Sequence, residues 1–168
     1  MKKRTYCLLK VLFGGVSGII TSLVMILLMK ISKFASAILY QNILHEVNFF
    51  AVMGEKLGIS PHVMGYLFRF GVAIILGAVF ALIFHRMLQG FFVGAGMGFL
   101  FGILWWIMTP FYMLPFFLLL SIKVPWYLIS SYSVINLFIG HAVFGIILGV
   151  VYTGLKKLLN FSRDKRFM

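Results

Sequence analysis

The sequence predicts an all-α integral membrane protein, four transmembrane helices in a tight bundle, on three observations. Hydrophobic residues make up 62% of the 168 residues and charged residues only 11%. Four apolar stretches are each long enough to cross a bilayer. The basic residues gather where a four-span chain keeps returning to the same side. A soluble domain carries about a quarter charged residues, and a water-soluble fold of this size could not cover so much apolar surface. Lipid removes that conflict.

A helix rises about 1.5 Å per residue, so roughly 20 apolar residues cross a hydrocarbon core of about 30 Å. The stretches that qualify are 11–29, 63–84, 89–109 and 134–155. The first follows a basic start and precedes Ala35-Ser36-Ala37, which imitates a cleavable signal peptide. Its 19 residues exceed a usual signal core, so it is expected to stay as the first helix. The second is interrupted only by Arg69. The third is expected to stop at Pro110, because proline removes a backbone donor and clashes with the preceding turn. Only His85, Arg86, Met87 and Leu88 join the second stretch to the third, which calls for an antiparallel hairpin.

Two further segments are apolar without reading as clean spans. In 30–62 the polar residues Gln41, Asn42, His45, Glu46 and Asn48 fall on one side of a helical wheel, opposite Ile43, Val47 and Phe50. That pattern suits a helix lying in the interface. Segment 110–133 carries Pro110, Pro115 and Pro125, with Trp126 and Tyr127 at an expected aromatic belt; its apolar run 111–122 suits a re-entrant or interfacial piece. Spans through both segments would give a six-helix alternative. The whole chain is expected to be one membrane domain, with 156–168 as a tail.

The formal charge of +12 is not spread as a nucleic-acid footprint would be. Lys2, Lys3, Arg4 and Lys10 precede the first span, Arg86 sits in the tight turn, and Lys156, Lys157, Arg163, Lys165 and Arg166 follow the last. These ten of the fifteen Lys and Arg residues share one side of a four-span chain. The positive-inside bias then puts both termini in the cytoplasm. No nucleic-acid partner is expected. The single cysteine, Cys7, cannot form an intrachain disulfide and reads as an inert interfacial thiol.

Small residues recur at helical spacing. Gly90, Gly94, Gly98 and Gly102 fall every four residues on one face of the third stretch. Gly14, Gly18 and Ser22 echo them in the first, Ala73, Gly77 and Ala81 in the second, Gly145 and Gly149 in the fourth. A face without side chains lets another backbone approach closely, which replaces the hydrophobic drive that lipid cannot supply. The same glycine-zipper face serves internal packing or an interface with another protein. An internal repeat accompanies it: Arg69 to Gly77 aligns with His141 to Gly149, sharing Ile-Ile-Leu-Gly, while Gly14 and Gly18 can be laid on Gly94 and Gly98. The two halves would then share one orientation, a parallel two-plus-two repeat.

Ionisable groups within a span are costly and raise a functional expectation. Arg69 lies seven residues into the second span and His141 at the matching place in the fourth. Arg69 could snorkel, pair with Glu46 or Glu55, or meet a ligand; His141 could be a neutral hydrogen-bonding group or a ligand site. The outer polar set is therefore Arg69, His141, Gln41, Asn42, Glu46 and Asn136. His45, His62, His141 and Glu46 show no recognised metal-ligand spacing, so neither metal nor other cofactor is expected. Paired carboxylates, a phosphate-binding loop and a CxxC are all missing from the sequence, and the glycines lie inside an apolar span rather than after a strand. Ser130, Ser131 and Ser133 suit a helix cap.

Gln89-Gly90-Phe91-Phe92-Val93-Gly94, Thr109-Pro110, Pro125-Trp126-Tyr127 and Gly140-His141 together resemble small bacterial inner-membrane proteins of the YagU type. Trp105-Trp106 followed by Pro110 and a glycine-rich last helix is similar to the YqhR group. The resemblance covers mainly residues 85–155, and more weakly Gly14 to Met25. It implies a four-helix membrane protein and brings no activity with it. The functional expectation is a non-enzymatic small subunit or assembly factor that binds another membrane protein, or itself, through its glycine faces. Transport of a small solute, lined by the outer polar set, is the alternative. A membrane-embedded enzyme or a metal or haem protein comes third.

Overall fold

The computed structural model describes residues 3–31, 58–119 and 131–164. They form four helices: α1 (Lys3–Ile31), α2 (Pro61–Phe84), α3 (Phe91–Leu119) and α4 (Ser131–Asp164). Each contains a stretch long and apolar enough to cross a membrane: Cys7–Leu28, Val63–Phe84, Phe91–Thr109 and Leu137–Leu158. The protein is an all-helical, multi-pass membrane protein, with four candidate spans among the described residues. α1 has 29 residues and α4 has 34, about 43 and 51 Å at the helical rise, so both overrun the hydrocarbon core.

Local chemistry explains the boundaries. Gly58 takes a positive φ of 67° before α2, a conformation that carries a steric cost for other residues. Pro61 occupies the start of α2, where its missing N–H would have had no helical partner. The Ser60 carbonyl accepts the first helical bond from Met64 at 3.0 Å. At the other end His85 N–H donates to Ala81 at 3.2 Å and Met87 N–H to Phe84 at 2.9 Å, which turns the chain toward α3.

Two expected boundaries are corrected. α3 begins at Phe91 rather than at Gln89. Gly90 precedes it, accepts a bond from Gly94 N–H at 2.8 Å, and a Cβ there would meet nothing within 4 Å. Gly90 is thus a helix-start residue and not part of the packing face. α3 also runs through Pro110 and Pro115 to Leu119. Proline is tolerated within membrane helices where neighbouring groups serve the freed backbone, and residues 110–119 are a continuation of the third helix, not a separate re-entrant piece. α4 starts at Ser131, so Ser131 and Ser133 lie inside its first turn. Gln41, Asn42, Glu46, Trp126 and Tyr127 lie outside the described residues.

The helices associate as two antiparallel pairs, α1 with α2 and α3 with α4; α1 also runs against α4, whereas α2 and α3 scarcely touch backbone to backbone. Within each pair glycine faces glycine. A Cβ on Gly14 would strike the Gly77 carbonyl oxygen and come within 2.7 Å of the Ala81 Cβ; one on Gly18 would strike the Ala73 carbonyl. In the second pair Gly94 meets the Gly149 carbonyl and Thr153, Gly98 meets Gly145, and Gly102 meets the His141 carbonyl. The equivalence is residue by residue. Gly14 against Gly77 and Ala81 matches Gly94 against Gly149 and Thr153, and Gly18 against Ala73 matches Gly98 against Gly145. The register of the sequence repeat is therefore the register of packing.

Between the pairs the filling is aromatic. Phe80, fully buried, lies 5.1 Å from Phe84, 5.4 Å from Phe101 and 6.0 Å from Tyr152 between ring centroids. Leu76, Leu88 and Leu148 complete that core. Edge-to-face rings add specific contact energy beyond area. The outward faces carry Leu12, Leu23, Leu67, Ile75, Ile83, Leu100 and Leu104, all exposed, as a lipid-facing belt requires.

Candidate functional site

Polar side chains concentrate at three levels. On α1 and α4, Ser17, Thr21, Ser22 and Thr153 are buried. Ser17 donates to the Phe13 carbonyl at 2.7 Å, Thr21 to Ser17 at 2.8 Å and Thr153 to Gly149 at 2.8 Å. These three hydroxyls thus return their protons to their own helix four residues earlier, the usual way for Ser and Thr to enter a helix interior without an orphan donor.

At the end away from the termini, His141 is held within the α3–α4 pair. Its Nδ1 lies 2.7 Å from the Leu137 carbonyl, which can only accept, so Nδ1 carries the proton. Nε2, left as an acceptor, lies 3.3 Å from the Thr109 hydroxyl, whose single proton it shares with the Trp105 carbonyl at 3.0 Å. Both ring nitrogens are engaged by α3 and α4, and neither bond goes to Arg69. Arg69 occupies the equivalent place in the other pair, on α2, and is partly buried. The side chain of Asn136 and the residues Gln41, Asn42 and Glu46 are outside what is described. Among the described residues no three His, Cys, Asp or Glu side chains gather as a metal site.

The third level, at the end where the termini lie, was not expected from sequence. The Tyr152 hydroxyl is 2.7 Å from His85 Nδ1, and the two rings meet edge to face at 6.1 Å. One turn on, Lys156 Nζ donates to the carbonyls of His85 at 2.8 Å and Leu88 at 2.7 Å. Carbonyls at a helix end lack helical partners, and a lysine donating to them stabilises the end. α4 therefore clasps the α2–α3 turn. Desolvation holds the His85 imidazole down to a pKa of about 4, with Lys10, Lys156 and Arg86 adding positive charge around it. His85 is neutral at pH 7. Tyr152 and Lys156 are four residues apart and share a helix face, which sequence does show; that this face meets the turn after α2 is a tertiary fact.

The packing faces stand as follows. Gly14, Gly18, Gly77, Gly94, Gly98, Gly102, Gly145 and Gly149 all lie inside the two pairs, and only Gly90 does not. Gly71 and Gly96 have open space where a Cβ would stand, on the outward sides of α2 and α3.

Fold and polar groups together define a polytopic membrane protein in which Ser17, Thr21, Thr109, His141, Tyr152, Thr153 and Lys156 are tied into backbone and turn hydrogen bonds. Comparison with family models, curated proteins and solved structures finds no match.

Proposed function

We propose that this chain is a small, non-enzymatic subunit or assembly factor of a bacterial cytoplasmic membrane, both termini cytoplasmic, that acts by docking against another membrane protein. The observation that carries this reading is how the polar groups at membrane depth are used. Ser17, Thr21, Thr109, His141 and Thr153 are engaged in hydrogen bonds within helices or within a helix pair. The eight paired glycines hold the bundle together, so docking falls to the outward faces of α2 and α3, where Gly71 and Gly96 admit a partner helix between exposed apolar side chains. The resemblance of residues 85–155 to YagU-like and YqhR-like proteins supports the bacterial inner-membrane placement.

Mild-detergent purification followed by mass spectrometry tests the docking. A stoichiometric partner, lost in Gly71→Leu and Gly96→Leu variants that remain folded, supports it; recovery of a pure monomer with a bound solute overturns it. A C-terminal reporter active only outside the cytoplasm should stay silent.

A second reading, passage of a small solute, draws support from the two-pair architecture. Equivalent pairs sharing one orientation can rock against each other, as repeats do in many transporters. Solute uptake into vesicles carrying only this protein would favour it over docking.

A further inference from the structure

The described part of the chain places cations on the terminal end of the bundle from three separate elements. Lys10 belongs to α1, Arg86 to the α2–α3 turn, and Lys156 and Lys157 to α4. Lys10, Arg86 and Lys156 are near enough to His85 for their charges to act on its imidazole. Lys156 is committed to the carbonyls of His85 and Leu88. Arg86 and Lys157 are exposed. The sequence has three acids. Glu46 and Glu55 fall in the sequence between α1 and α2, and Asp164 follows Lys156, Lys157 and Arg163 near the end of α4. Like charges held together at a bilayer surface need anions from elsewhere, and the headgroup layer at that depth is where anions are available.

The apolar surroundings of these cations fit the same occupant. Lys157 Nζ stands 4.3 Å from the centroid of the Phe91 ring. Phe91 is 47% exposed and its neighbour Phe92 95% exposed. A cation therefore sits directly above bare aromatic surface at the start of a membrane-spanning helix. A free anion needs only the charge, whereas a phospholipid needs both charge and an apolar wall for its chains. We propose that this end of the bundle is a binding surface for anionic phospholipids, with Arg86 and Lys157 contacting the headgroup and Phe91 and Phe92 packing the acyl chains. Lys10 and Lys156 supply field without giving up the contacts they already make. The proposal depends on membrane insertion alone and is independent of which protein, if any, docks on α2 and α3.

The full chain, reconstituted in phosphatidylcholine vesicles, is tested with spin-labelled phosphatidylglycerol against spin-labelled phosphatidylcholine. The protein should hold phosphatidylglycerol several-fold more strongly. Each Lys or Arg near an anionic surface contributes about fivefold, so the double variant Arg86→Gln, Lys157→Gln should lose most of the preference. The charge-preserving Arg86→Lys, Lys157→Arg pair should keep it. Equal association of both lipids, or a preference untouched in the glutamine variant, overturns the proposal. Should the glutamine variant fail to fold, salt decides on the native chain: at about 1 M the preference should collapse, because the Debye length falls to about 3 Å, and a preference indifferent to salt overturns the headgroup contact. Inorganic phosphate should not displace the labelled lipid; displacement would reassign the cations to a free-anion site and overturn the lipid assignment.

Discussion

Gly98 and Gly145 cross in direct backbone contact: a Cβ on either would enter the carbonyl oxygen of the other. No side-chain rearrangement can relieve that collision, because the obstructing atoms on both sides belong to main chain. Even Gly98→Ala should push α3 from α4, and Gly98→Leu should abolish a monodisperse folded species in detergent. Gly96→Ala, two residues away where a Cβ meets nothing within 4 Å, should leave the melting temperature within a degree or two. Size-exclusion profiles and thermal circular dichroism of the three variants, with Leu100→Ala as an outward-facing control, decide the matter. Equal behaviour of Gly98→Leu and Leu100→Ala would show that this face does not hold the pair together.

Phe80 is the fully buried ring through which α2 reaches both α3 and α4. Phe80→Ala should cost about 3 kcal/mol, as large-to-small changes at close-packed sites do. Phe99→Ala, at a position 37% exposed, should cost under about 1 kcal/mol. Denaturant titration in a folded-state detergent measures both. Comparable losses would mean that the space between the pairs is not close-packed.

Tyr152 and Lys156 tie α4 to the turn after α2 by different bonds, and their removal should differ in size. Tyr152→Phe keeps the ring against Phe80 and removes the bond to His85, about 1 kcal/mol. Lys156→Met leaves the His85 and Leu88 carbonyls without that donor, about 1 to 3 kcal/mol. Proteolysis at the 85–90 turn should accelerate in Lys156→Met and hardly change in Tyr152→Phe. The reverse order would place the main restraint at the phenol.

His85 makes stability pH-dependent in a defined direction. Its folded pKa, about 4, lies below the ordinary 6.5, so between those values the unfolded chain binds more protons. Stability is therefore fully present above pH 6.5 and is lost as pH falls toward 4. The melting temperature in detergent should decline across that window, and His85→Gln should flatten the decline. An unchanged slope in that variant would assign the titration elsewhere.

What the sequence by itself determined follows from local chemistry. Hydropathy and length marked the four spans because transfer to lipid depends on a segment's own side chains. Lys and Arg placement put both termini and the 85–88 turn at one end, and the spacing of Gly94, Gly98 and Gly102 marked a close-approach face. Tertiary structure alone decided which faces meet. Lipid is as apolar as a protein interior, so a core residue such as Phe80 and a lipid-facing one such as Leu104 look alike in hydropathy. The partner of each glycine face and the meeting of His85 with Tyr152 some 67 residues away arise from contacts between helices, and no periodicity within one helix encodes them.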